Sequence, residues 1–160
     1  MLLRSLLFLF ICLQSTQLFA NPTFSSPSIT YETAAKLVSG VLKEAKKRNL
    51  SLAVSISDPA GHLVAFGRTD GTKPIVLTVA QGKAYTAAIA RNKTGVIQEK
   101  ALPEGPAYGG VTNIEKVMII RGGVPIFHKG QCIGGIGVSG TSATEDEEIA
   151  ELVIQQQDLE

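Results

Sequence analysis

The residue pattern predicts an α+β domain built around a central antiparallel sheet of about five strands. Two observations carry this. Strand-like runs come in groups joined by tight turns, at residues 58–61 and 129–130, and helical periods stand before, between and after those groups. Such an order fits hairpins with helices packed on them, not a doubly wound parallel sheet.

The first twenty residues, MLLRSLLFLFICLQSTQLFA, place one basic residue, Arg4, before an apolar run from Leu6 to Leu13 and a polar stretch ending in Phe19-Ala20. That pattern predicts a signal peptide over residues 1–20 with cleavage after Ala20, and hence a periplasmic or secreted product. The apolar run is far short of the roughly 20 residues a spanning helix needs. Leu9-Phe10-Ile11 also lacks the small residues expected before a lipid-modified cysteine at Cys12. No membrane attachment is therefore expected after signal removal. Arg4 leaves with the signal and no acidic residue does, so the formal charge falls from +1 to zero. Nucleic acid is accordingly not an expected partner. Of the two cysteines only Cys132 remains, which excludes an internal disulfide and leaves the core to hold the fold.

Residues 21–29, NPTFSSPSI, read as a tether, with the domain over 30–160. Ala34, Leu37, Val38, Val41, Leu42 and Ala45 then recur at helical spacing, with Thr30 as N-cap, Glu32 in the first turn and Lys46-Lys47-Arg48 in the last. Leu52, Val54 and Ile56 alternate with Ala53, Ser55 and Ser57, and Asp58-Pro59-Ala60-Gly61 matches a type I turn. A hairpin follows, whose second strand, 62–68, sets His62, Val64, Phe66 and Arg68 on one face. Residues 74–91 are helical, with Ala80, Ala84, Ala87 and Arg91 on a stripe suited to close packing and Val79, Lys83, Thr86 and Ala90 on another. Glycine and proline between 92 and 115 leave a short helix at 96–100 and a loop. Three strands complete the sheet, 116–121, 124–128 and 131–139. Pro125 lacks an N–H, which makes the middle one an edge or broken strand. Thr144-x-x-Glu147 reads as the capping box of a last helix with Ile149, Leu152 and Val153 on its apolar face.

Gly135, Gly137 and Gly140 fit G-x-G-x-x-G, the phosphate fingerprint of dinucleotide sites. That site needs a βαβ unit, whereas these glycines follow a hairpin strand, and four acids after Thr144 would oppose a pyrophosphate. Ser139 is no better placed, because Thr141 breaks the nucleophile elbow G-x-S-x-G. The glycines are expected instead to let a helix or a partner backbone close on the strand, with Gly140 turning the chain into the last helix.

DPAGHLVAFGRTDG (58–71), GKAYTAA (82–88), GGVPIFHKGQCIGGIGVSG (122–140) and EDEEIA (145–150) together resemble the GlcG/HbpS-like family of haem-binding proteins, over about residues 30–155. The resemblance implies a profilin-like α-β-α fold, a homo-oligomer and, in several members, a bound haem or other tetrapyrrole. A histidine in the first helix, used by some relatives, is absent here.

Under that resemblance His62 and His128 are the first candidate iron ligands, the alternative for His62 being a half-exposed strand residue. His128, beside the Lys129-Gly130 turn, reads as a solvated hairpin tip. Lys83 and Thr86 lie one turn apart and would project together, Lys83 toward a propionate and Thr86 toward iron or a bridging water; the alternative is a polar helix face in water. Tyr85 points about 100° from Thr86, so the two are not expected to serve one ligand. Arg68 and Arg91 could hold a carboxylate or pair with acids, and Cys132 reads as a small buried hydrophobe. The expected function is an exported, non-catalytic haem-binding or haem-sequestering protein. Two alternatives stand beside it: a small-molecule lyase or isomerase using His62, Lys83 or Arg91, and an oligomeric interaction protein without a small ligand.

Overall fold

The computed structural model describes residues 26–107 and 109–157, so the expected signal peptide and residues 21–25 of the tether lie outside the described residues. Thr30 caps α1 (Tyr31–Arg48), its hydroxyl accepting from the Thr33 N–H at 3.2 Å, and Asn49 ends the helix in the left-handed region at φ 56°. The hairpin β1 (Ala53–Ser57) and β2 (Leu63–Arg68) follows, then α2 (Pro74–Ala90) and α3 (Thr94–Ala101). A 3-10 turn (Val111–Asn113) leads to the second hairpin, β3 (Gly123–His128) and β4 (Gln131–Ser139), and α4 (Ala143–Gln155) closes the fold.

The sheet has the order β2-β1-β4-β3 and is antiparallel throughout. Pro125 therefore sits on an edge strand, where its missing N–H costs no ladder bond. Val54 pairs with Val138 and Ile56 with Ile136. These side chains form one buried cluster with Leu37 and Val41 of α1 and Ile149 and Val153 of α4. The opposite face of the same strands is small: Ser55 pairs with Gly137 and Ser57 with Gly135. There α2 settles directly on the backbone of β4. A Cβ on Gly137 would lie 2.2 Å from the Ala80 carbonyl oxygen, and one on Gly135 would lie 2.6 Å from that of Ala84.

Five expectations need correction. The sheet has four strands, because 116–121 runs as irregular chain. Its backbone groups are met by helix side chains instead of a ladder: the Met118 N–H donates to Thr86 Oγ1 at 2.7 Å, Thr94 Oγ1 donates to the Ile120 carbonyl at 2.7 Å, and the Arg121 N–H donates to Gln98 Oε1 at 3.3 Å. The single face expected for 62–68 is broken by a β-bulge where Ile56 and Ser57 pair with Ala65 and Leu63. Val64 and Ala65 both pack on the core as a result, while Phe66 stands opposite Ser55. The last helix is capped by Ser142, whose Oγ accepts from the Glu145 N–H at 3.2 Å, so Thr144 lies inside it. The short helix expected at 96–100 starts earlier, at Thr94. Ile29, assigned to the tether, is buried and donates its N–H to the Ile133 carbonyl at 2.8 Å. Among the described residues no helix is long and apolar enough to cross a membrane.

Candidate functional site

A cavity of about 530 Å³ opens between α2, the β1–β2 hairpin and residues 116–118. Its size falls within the range of small-molecule sites. Ser55 and Ser57 of β1 supply the floor, because their short side chains leave room that larger residues would fill. Ser55 Oγ is buried and, among the described residues, has no hydrogen-bond partner. An orphaned hydroxyl at the floor of a cavity is a feature a ligand or a water would satisfy.

Two glycines set the walls. Gly61, at φ 87°, closes the hairpin turn, and a Cβ there would lie 2.4 Å from the Tyr85 ring, so the turn and the ring meet at the cavity edge. Gly82 does the same for the other side, where a Cβ would meet that of Met118 at 2.8 Å. Leu63, Tyr85, Val117 and Met118 make the lining largely apolar, and the exposed Lys116 adds one cation.

His62 reaches this cavity from the hairpin turn. The turn is held by Asp58: its Oδ1 accepts from the Ala60 and His62 N–H groups at 2.9 and 2.8 Å, and its Oδ2 lies 3.2 Å from His62 Nδ1. The imidazole is largely exposed.

The other expected site residues are placed elsewhere. Lys83 and Thr86 do not project together into solvent: both are buried, and each has partners within the fold. Lys83 Nζ donates to Asp146 Oδ2 at 2.8 Å and to the Val138 carbonyl at 2.9 Å. Burial pushes its ammonium below the ordinary lysine range, and Asp146 offsets part of that shift. Asp146 Oδ1 in turn accepts from Thr141 N–H and Oγ1 at 3.0 and 2.8 Å, which ties the start of α4 to α2. Thr86 Oγ1 donates to the Gly82 carbonyl at 2.7 Å while accepting from Met118, so it braces the cavity wall from behind. Arg68 lies at the far end of β2, lining a separate groove with Leu42 and Asn49. Arg91 is exposed at the C-cap of α2 with φ 51°. His128 ends β3 in register with Gln131 and does not line the cavity. Cys132 is buried and free, its Sγ 3.3 Å from the Gly134 carbonyl oxygen.

Of the five expected binding residues, the fold thus brings His62 alone to the cavity, and joins to it Ser55, Asp58, Tyr85, Lys116 and Met118. The spacing of Asp58 and His62 across a turn was the one legible sign of their partnership. Nothing local in 116–118 announces that it becomes a wall. Among the described residues, no three His, Cys, Asp or Glu side chains gather to hold a bare metal ion.

Comparison with known proteins finds a family model, described as haem degrading protein HbpS-like, that matches residues 29–155. The protein GlcG of Escherichia coli K12 is 32% identical over 111 residues, 69% of this chain and 81% of that one. The crystal structure of Klebsiella pneumoniae protein ORFY superimposes with a TM-score of 0.82 at 26% identity, covering 88% of this chain and 99% of that one. A structure of a PduOC:heme complex superimposes with a TM-score of 0.78 at 25% identity, covering 83% and 97%.

Proposed function

Because the chain belongs to the HbpS-like family, we propose that its cavity binds haem or a closely related tetrapyrrole outside the cytoplasm. The observation that carries this reading is the cavity itself: apolar walls from Leu63, Tyr85, Val117 and Met118, with His62 at the mouth. Burial of the porphyrin faces supplies most of the affinity in such a site, and a few polar groups set orientation. The donor set suits the group, since histidine, tyrosine and methionine are all haem-iron ligands. In our reading His62 takes the iron, Lys116 pairs with a propionate, and Ser55 meets a polar atom or water at the floor. Bound haem would supply an iron centre, and the protein's part is to orient it and shield its faces. The 25% identical structure whose description includes haem supports the ligand class, and the pattern of residues 1–20 supports export. A homo-oligomer is part of the same reading.

Haemin titration of the purified protein, followed by absorbance, tests this. A saturable shifted Soret band is expected, weakened about 100-fold by His62→Ala and left nearly unchanged by Arg91→Ala. Weak, unsaturable binding equal in all three proteins would sink the reading. The Asp58–His62 contact favours one rival, an acid–base enzyme acting on a small molecule in the same cavity. Turnover without haem would identify it.

A further inference from the structure

We infer that Asp58 is a positioning residue that holds His62 in the Nδ1–H tautomer and thereby offers the lone pair of Nε2 to the cavity's ligand. Asp58 Oδ1 is committed to two backbone N–H groups, those of Ala60 and His62, so the carboxylate cannot swing away without losing both bonds. The turn is closed independently by the Gly61 N–H on the Asp58 carbonyl and the Asp58 N–H on the His62 carbonyl, both at 2.9 Å. The second oxygen of this anchored carboxylate lies 3.2 Å from His62 Nδ1.

An ionised carboxylate can only accept, so the nitrogen facing it must carry the proton. A neutral imidazole has one N–H, which leaves Nε2 as the bare nitrogen. Histidines that bind metals are commonly oriented in this way, their second nitrogen donating to a carboxylate. The ligand class follows: an electron-pair acceptor, with haem iron as the case the haem reading requires. The assignment of iron rests on that reading, whereas the state of the ring does not.

Asp58→Asn separates the roles of the carboxylate. Its amide oxygen can still accept from Ala60 and His62 and keep the turn, while its NH₂ faces Nδ1 as a donor and drives the proton to Nε2. The same exchange of acceptor for donor beside a catalytic histidine is known to trap the wrong tautomer. The chain has two histidines, so ring ¹⁵N spectra of the ligand-free protein, recorded well above the ordinary histidine range and assigned with a His128→Gln variant, read His62 directly. The expected result is Nδ1–H in the native protein and Nε2–H in Asp58→Asn, with the thermal midpoint little changed and haemin affinity reduced about 10- to 100-fold. A native Nε2–H ring, or a tautomer indifferent to Asp58→Asn, overturns the inference even if haemin binds through His62. Conversely, a tautomer that switches as expected in a protein that does not bind haemin upholds the Asp58 assignment and removes the haem reading.

Discussion

Among the described residues Lys83 is the largest fully buried side chain, and its charge is met by one carboxylate and one carbonyl. Such a pair contributes little net stability against an apolar replacement of both members, yet removing one partner leaves a buried charge unmatched. Lys83→Met is expected to cost about 3 kcal/mol, measured by chemical denaturation, because Asp146 keeps only its Thr141 bonds. The pH dependence follows from the direction of the Lys83 shift. Burial lowers its folded pKa, so the native state binds fewer protons than the unfolded chain between that lowered value and the ordinary lysine pKa of about 10.4. Stability from this group is complete above that window and is lost as pH falls through it. The difference between native protein and Lys83→Met should therefore widen as pH rises toward about 10; a constant difference would mean that Lys83 does not titrate abnormally.

At the scale of elements, the contact that shapes the molecule is α2 on β4. Side chains normally hold a helix off the sheet it packs on, but Gly135 and Gly137 remove those of β4 and the alanines of α2 complete the approach. The sequence anticipated close packing from the alanine stripe and the glycine run separately. Gly137→Ala would drive a methyl against the backbone at Ala80 and Ala84, and no rotamer change can relieve a backbone clash. A loss of about 3 kcal/mol in unfolding free energy is expected, measured by chemical denaturation. The G-x-G-x-x-G pattern thus serves packing: the strand carrying it lies at the centre of an antiparallel sheet, with no βαβ unit around it.

For the molecule as a whole, the sheet is a shared wall with two unlike faces. One is sealed by the apolar cluster of α1 and α4, and the other is closed by α2 except where the cavity remains. A ligand seated there binds the native state and not the unfolded chain. Haemin at about 100 times its dissociation constant should then add about 2.7 kcal/mol, raising the thermal midpoint of unfolding by roughly 10 °C. His62→Ala should lose most of that rise at the same haemin concentration. An unchanged midpoint for the native protein would place any haemin binding outside the folded cavity.

Much of this protein is written in local pattern. The helical stripe from Ala34 to Ala45, the turn at Asp58 to Gly61 and the hairpin turn at Lys129-Gly130 were readable because each depends on residues close in sequence, and the family likeness lay in short motifs of the same kind. What needed folding in three dimensions was whatever depends on a distant partner. Residues 116–121 have the composition of a strand, but Thr86, Thr94 and Gln98 take their backbone hydrogen bonds, so they become irregular chain. Lys83 looks like a ligand-binding cation until Asp146, 63 residues on, claims it. The cavity belongs to the same class, since its floor, its histidine and its far wall come from three separated segments that meet only when α2 packs on the glycines of β4.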